Sequence, residues 1–227
     1  MSPIILSIEG NIGAGKSTIL ETIHASKTIV YLKEPVDIWS QIKDTSGETI
    51  LAKYYKDPLK YAFPFQILAL TTRLSEIRRT ICENPDCKII LCERSLETDR
   101  QIFAKMLYDE GKIDDVSYQI YQKLFDTNQL EIPLGGVIYL DTPSEICFER
   151  IKKRARVGEE SIPLEYLQKC DKYHKDWLNQ SDLPYPVVTI NDSVLIESFE
   201  TFIYSNFTSI NSLHNQTHTI PYWALHI

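Results

Sequence analysis

Nine residues close to the start of the chain, Gly10-Asn11-Ile12-Gly13-Ala14-Gly15-Lys16-Ser17-Thr18, follow the spacing G-x-x-x-x-G-K-[ST] directly after the apolar run Ile4 to Ile8. A strand, a glycine-rich turn and the start of a helix, in that order, commit the chain to an α/β unit with a phosphate cradle. Glycines let the backbone curl so that its N–H groups converge on phosphate oxygens, and the helix that follows turns its positive end to the same anion. In such a loop Lys16 reaches the β- and γ-phosphates of a nucleotide such as ATP or another nucleoside triphosphate, and Ser17 ligates Mg²⁺.

Apolar runs recur at Ile4–Ile8, Thr28–Leu32, Lys88–Cys92, Gly136–Leu140 and Pro186–Ile190, separated by longer segments of helical periodicity. That alternation predicts a parallel sheet with helices on its faces. Asp57-Pro58 is expected to open a long helix that reaches about Cys82 and is closed by Asn84-Pro85. Another is expected to be capped by Thr142-Pro143 and to run into Arg150-Ile151-Lys152-Lys153-Arg154-Ala155-Arg156. From Asn206 the chain turns to Asn, Ser, Thr and His and then ends on an aromatic pair, so residues 1–207 read as the domain and 208–227 as a tail, frayed or docked.

A formal net charge of −7 over 227 residues argues against nucleic acid as a partner, since its backbone needs a clustered basic surface. No apolar stretch approaches the roughly 20 residues that cross a bilayer. The first strand starts too early for a targeting segment, which points to work in the cytoplasm, where the chain is made. An odd number of cysteines, 5, with no C-x-x-C pair suits a reducing compartment.

In an open parallel sheet ligands gather beyond the carboxyl ends of the strands, so polar residues there are candidates for chemistry rather than packing. Glu34 follows the second apolar run and Glu93 the third. Phosphoryl transfer needs a metal anchor, an oriented nucleophile and cations that absorb charge on the transferring group. Glu93 stands where a carboxylate can hold Mg²⁺ or its water, which leaves Glu34 to accept a proton from a substrate hydroxyl, with Arg94 keeping both in register. Arg150 and Arg154 lie one helical turn apart and, with Arg156, can close over a triphosphate as a mobile lid ahead of the turn Gly158-Glu159-Glu160-Ser161. On the long helix Gln66, Ala69 and Arg73 share one face, flanked by Phe65. Gln66 has the donor and acceptor that read a base edge, Phe103 can stack on a ring, and Arg73 can pair with Asp99, as part of the site or as a structural ion pair.

Taken in order, these motifs resemble the deoxyribonucleoside kinases, the group of deoxycytidine, deoxyguanosine and mitochondrial thymidine kinases and the insect multisubstrate enzyme. The resemblance runs from the phosphate loop to about Phe202 and rests on Gly10–Thr18, Glu34-Pro35-Val36 with Trp39, Phe65-Gln66, Glu93-Arg94-Ser95 with Asp99-Arg100, and Arg150 through Leu167. It implies a P-loop NTPase-type three-layer fold, with a five-stranded parallel sheet flanked by helices under an arginine-rich lid, and pairing into a homodimer. It also implies that Glu34 is the base for a deoxynucleoside 5′-hydroxyl, with Arg94 beside it, and that Ser17 and Glu93 serve Mg²⁺. Gln66 then hydrogen-bonds the base among Trp39, Phe65 and Phe103, with Ile12 nearby, while Tyr55 and Glu159 hold the sugar 3′-hydroxyl.

Arg73 and Asp99 resemble the pair found in the deoxycytidine and deoxyguanosine members, so deoxyadenosine, deoxyguanosine or deoxycytidine is expected over thymidine, whose methyl needs the space this pair fills. There are departures from the pattern. Gly13 stands where relatives often carry Ala and is expected only to loosen the loop; Val157-Gly158 interrupts a lid stretch that is usually more polar; and Tyr54 adds bulk beside the sugar site. Asn191-Asp192 is expected to border the donor base.

Two other readings compete. A nucleoside monophosphate kinase of the thymidylate kinase type shares the loop and the lid, but its phosphorylated acceptor wants a cation where this chain carries Glu34. A regulatory GTPase is the second, because Asp44-Thr45-Ser46-Gly47 spells D-x-x-G, yet no N-K-x-D follows it.

Overall fold

The computed structural model describes residues 2–22, 28–156, 159, 162–190 and 199–207. The strands are β1 Ile4–Gly10, β2 Ile29–Leu32, β3 Ile89–Glu93, β4 Leu134–Leu140 and β5 Val187–Ile190, each within two residues of its expected bounds. All pair in parallel, in the order β2-β3-β1-β4-β5. β2 and β3 lie on one side of β1 and β4 and β5 on the other, so the winding of the chain reverses there and the carboxyl end of β1 is the switch point at which a crevice opens. Glu93 does not follow β3 as expected but ends it, opposite Ile8 of β1.

Both faces of the sheet are covered, which is why the strands read as unbroken apolar runs rather than alternating ones. On one face Ile5, Ile90 and Cys92 pack against Leu70, Leu74 and Ile77 of α4 (Pro58–Glu83) and Tyr121 and Phe125 of α7 (Asp115–Gln129). On the same face Val137 and Tyr139 meet Ile102, Met106, and Cys170 and Trp177 of α9 (Leu164–Leu178). The opposite face presents Leu6, Ile8, Leu91 and Ile138, each fully buried, with α1 (Lys16–Thr22) against β1 and β3.

Local chemistry sets the helix ends that matter to the site. The Asp57 carboxylate accepts from the Lys60 N–H and opens α4, which continues through Pro64 to Glu83. The short helices α2 (Val36–Gln41) and α3 (Ile50–Lys56) lie before it. After β3 the chain winds through α5 (Leu96–Thr98), a π-helical turn over Asp99–Ala104 and α6 (Lys105–Asp109) without a break. A π turn widens the helix locally and re-aims its side chains, a device common at functional sites. α8 (Ser144–Arg154) starts at Pro143, but Thr142 does not cap it. The Thr142 hydroxyl donates instead to Ala14 O (3.2 Å), binding the helix start to the phosphate loop.

The chain divides into two compact units, Met1–Val194 and Leu195–Ile227. The second contains α10 (Phe199–Phe207). Among the described residues no helix is long and apolar enough to cross a membrane. Val157-Gly158, Glu160-Ser161, Asn191-Asp192 and the tail from 208 lie outside the described residues.

Candidate active site

The phosphate loop closes on its own lysine. Lys16 Nζ is buried and donates to the carbonyls of Gly10 (3.1 Å) and Asn11 (2.8 Å). Burial, and then the nearby Arg94 charge, pull this ammonium down to about 8, against the carboxylates of Glu93, Glu34 and Glu9. Gly10 (φ 141°) and Gly13 (φ 81°) are required by close approach: a Cβ would sit 2.7 Å from Leu140 O and 2.6 Å from Cys147 O. Alanine at position 13 therefore collides with the α8 backbone, so the expectation that Gly13 merely loosens the loop is wrong. Ile12 through Thr18 line the cavity, whereas Gly10 and Asn11 stand behind it. There Asn11 Nδ2 donates to Leu167 O (2.8 Å) and its Oδ1 accepts from the Ile12 N–H (2.9 Å).

At the rim of the loop the Ser17 hydroxyl donates to Glu93 Oε1 (2.7 Å). No group of three or more His, Cys, Asp or Glu stands ready for a metal among the described residues. That donor set fits Mg²⁺, which takes one or two protein oxygens and completes its shell with water and phosphate.

Glu34 is gripped by two arginines from different elements. Arg73 Nη2 of α4 lies 3.0 Å and Arg94 Nε 3.3 Å from the same oxygen, Oε1. Oε2 is then the oxygen that can take a proton from a substrate. Burial pushes the Glu34 carboxyl up, but Arg94, Arg73 and Lys16 together outweigh it and hold the group below its ordinary value. Arg73 also clamps Asp99 through Nε (2.9 Å) and Nη2 (3.2 Å) and donates from Nη1 to Glu93 O (2.8 Å). Expected as a substrate contact, Arg73 is instead absent from the cavity wall; it braces Glu34, Glu93 and Asp99, all of which line the cavity, from behind.

A single cavity of about 710 Å³ runs from the phosphate loop past Glu34, Glu93 and Arg94 to Trp39, Phe65, Gln66 and Phe103. Trp39 meets Phe65 edge-on (5.3 Å, 81°) and Tyr54 stacks on Phe65 (4.9 Å, 18°). Gln66 is 2% exposed, and its Oε1 finds no partner among the described residues, so it is set to serve a ligand. The Arg94 guanidinium lies over Phe103 at 5.0 Å. Arg150, Arg154, Arg156, Tyr55 and Glu159 also line the wall. Arg150 Nη1 donates to Ala14 O (3.2 Å), and Glu159 pairs with both Arg154 and Arg156, the latter at 3.3 Å.

The deoxynucleoside kinase family model matches residues 6–217. The chain belongs to the deoxynucleoside kinase family. It is 36% identical over 191 residues to a probable deoxycytidine kinase of fowlpox virus, covering 82% of this chain and 77% of that one. To human mitochondrial thymidine kinase 2 it is 30% identical over 219 residues, 94% of this chain and 80% of the other. To the mitochondrial deoxyguanosine kinase of Xenopus laevis it is 30% identical over 231 residues, 93% and 87% of the two chains. These relatives carry names with three different bases, so similarity makes this chain a deoxynucleoside kinase without choosing its base.

Two features of the kinase site were given no role from the sequence. Tyr166 of α9 enters the wall, its hydroxyl 3.1 Å from that of Tyr54 and its ring edge-on to Tyr55 at 6.3 Å. The Arg73–Glu34 pair joins residues 39 positions apart on different elements. The D-x-x-G string is a local turn: Asp44 Oδ1 accepts from the Ser46 N–H (2.9 Å) and the Glu48 N–H (3.0 Å), away from the cavity.

Proposed function

We propose that this kinase transfers the γ-phosphoryl group of ATP, or of another nucleoside triphosphate, to the 5′-hydroxyl of deoxyadenosine, deoxyguanosine or deoxycytidine in preference to thymidine. The observation that carries this is Glu34: ionised, held at one oxygen by two arginines, and facing the same cavity as Lys16. Its free oxygen accepts the hydroxyl proton as the oxygen attacks, a role that depends on reach more than on high basicity. Arg94 holds Glu34 and meets the developing charge, and Lys16 with Arg150, Arg154 and Arg156 surrounds the donor phosphates. Mg²⁺, held by Ser17 and Glu93, would neutralise charge on the phosphates.

On the acceptor side Gln66 reads the base edge between Phe65, Trp39 and Phe103, while Tyr55 and Glu159 receive the 3′-hydroxyl. Asp99, backed by Arg73, offers acceptor oxygens to an amino group on adenine, guanine or cytosine, and fills the space of a thymine methyl. The monophosphate kinase alternative loses its support to the family match, and Glu34 would repel a phosphorylated acceptor.

We further infer a homodimer acting in the cytosol in deoxynucleotide salvage, with residues 1–207 as the catalytic domain and 208–227 as a tail. Support for pairing comes from Val116 and Ile120, one turn apart on α7 and 65% and 52% exposed. The five free cysteines suit a reducing compartment. A panel of deoxynucleosides with ATP and Mg²⁺ tests the reading, and Glu34→Gln is expected to lower kcat about 10²-fold. Preference for thymidine, or full turnover by the variant, would overturn it.

A further inference from the structure

Arg94 is aimed by an unusual backbone. It adopts φ 65°, in the left-handed region that side-chain-bearing residues avoid. From there Nε reaches Glu34, the guanidinium covers Phe103, and Nη1 lies buried without a partner among the described residues. Such a kink persists only when the chain is held on both sides of it. Before it, the Arg94 N–H donates to Ile8 O (3.1 Å) of β1. Beyond it, Ser95 and Thr98 form a reciprocal capping box: the Ser95 N–H donates to Thr98 Oγ1 (3.1 Å) and the Thr98 N–H to Ser95 Oγ (3.2 Å).

Both hydroxyl protons of that box go to one carboxylate. Ser95 Oγ donates to Glu9 Oε1 (2.8 Å) and Thr98 Oγ1 to Glu9 Oε2 (2.5 Å). Glu9 is fully buried and directly precedes Gly10, and the side chains hydrogen-bonded to it among the described residues are these two hydroxyls. A carboxylate buried with hydroxyl donors as its hydrogen-bond partners, and Lys16 acting on it only from beyond ion-pair distance, is an expensive choice unless it performs a task.

Resting on the catalytic role of Arg94 given above, we propose that Glu9 is a positioning residue. By accepting both hydroxyl protons it locks the Ser95–Thr98 turn to the strand that feeds the phosphate loop, and so holds Arg94 between Glu34 and the transferring phosphoryl group. Donor cradle and acceptor arginine are thereby referred to a single strand, β1. The task is hydrogen bonding rather than charge. Glutamine can complete the same network if Ser95 turns its proton to Thr98 Oγ1, 3.1 Å away; methionine cannot.

Steady-state kinetics of Glu9→Met, Glu9→Gln, Arg94→Lys and the double variant Glu9→Met/Arg94→Lys, each across pH, test this. Glu9→Met is expected to lose roughly 30-fold in kcat with KM changed less than about twofold, and Glu9→Gln to stay within about threefold of the parent. The acid limb of the Glu9→Met profile should move to higher pH as Arg94 loosens its hold on Glu34. The double variant should be no slower than Arg94→Lys alone, as for residues that act as a unit. Parental kcat in Glu9→Met, or losses that multiply in the double, would overturn the inference. Full activity in Arg94→Lys would sink the reading of Arg94 and this inference with it; a slow Arg94→Lys beside a normal Glu9→Met would sink the inference alone. Where Glu9→Met fails to fold, Thr98→Val, close in shape, should lose roughly fivefold in kcat with the same shift of the acid limb, and a parental profile there would overturn it.

Discussion

Replacing Arg73 by leucine tests how the site is held together. The change leaves the Asp99 carboxylate, 2% exposed, without its cation, removes one of two arginines from Glu34, and takes the Nη1 donor from Glu93 O. Arg73 is charged in the folded protein: burial works against its protonation, but Asp99 and Glu34 outweigh it. Burial pushes the Asp99 carboxyl up even against the pull of Arg73, so the loss of Arg73 leaves Asp99 either as a costly buried charge or forced to take up a proton. Breaking a buried pair from one side costs about 3–5 kcal/mol, so Arg73→Leu is expected to cost about 4 kcal/mol. For a chain of this size that is a fall in Tm of about 8–16 °C. Arg73→Leu/Asp99→Leu removes the stranded charge as well, and apolar replacement of a whole pair is often neutral. The double variant should therefore recover about half of the loss, the rest reflecting Glu34 and the Glu93 carbonyl. Urea unfolding of the two singles and the double measures this, and kcat/KM for thymidine against deoxycytidine is read in each. A double variant less stable than Arg73→Leu would refute the idea that the orphaned Asp99 charge sets the cost. Unchanged base preference would refute the role of the pair in specificity.

Two further outcomes follow from the loop. With its pKa lowered from 10.5 to about 8, Lys16 loses its proton in the free protein as pH rises past 8, while a bound phosphate demands the ammonium form. Nucleotide binding should then take up close to one proton at about pH 9 and weaken by up to about tenfold per pH unit; calorimetry in buffers of different ionisation heat counts the protons, and a count near zero refutes the shift. The same difference makes the free protein gain stability between pH 8 and 10.5, where the unfolded chain still binds the proton. Gly13→Ala should cost about 1–3 kcal/mol in strain and most of the nucleotide affinity, because its Cβ meets Cys147 O; a thermal-shift titration with ATP that matches the parent would dispose of that argument.

Legibility followed the range over which each feature is encoded. The phosphate loop and the apolar runs are local, and the sheet appeared within two residues of each expected strand end. The single face of Gln66, Ala69 and Arg73 follows from helical spacing, and all three are buried on α4. Where a residue faces more than one neighbour, the reading was incomplete. Thr142 looked like a cap and binds the loop instead, and Gly13 looked replaceable because the α8 carbonyl beside it, Cys147 O, lies 134 positions further along the chain.

The sequence alone therefore determined what is written in neighbouring residues: a parallel α/β sheet, a phosphate loop at its first strand, acidic residues at the ends of the next two, and the family those motifs define. Tertiary structure alone decided which oxygen of Glu34 the two arginines hold, that Arg73 stands behind the wall while Asp99 faces in, and that Glu9 closes a network around Ser95 and Thr98. The physical reason is that spacing constrains the direction of a side chain within one element. The partner it meets depends on how separate elements pack, and Glu34, Arg73, Arg94 and Asp99 come from a loop, a long helix, a strained turn and a π-wound turn.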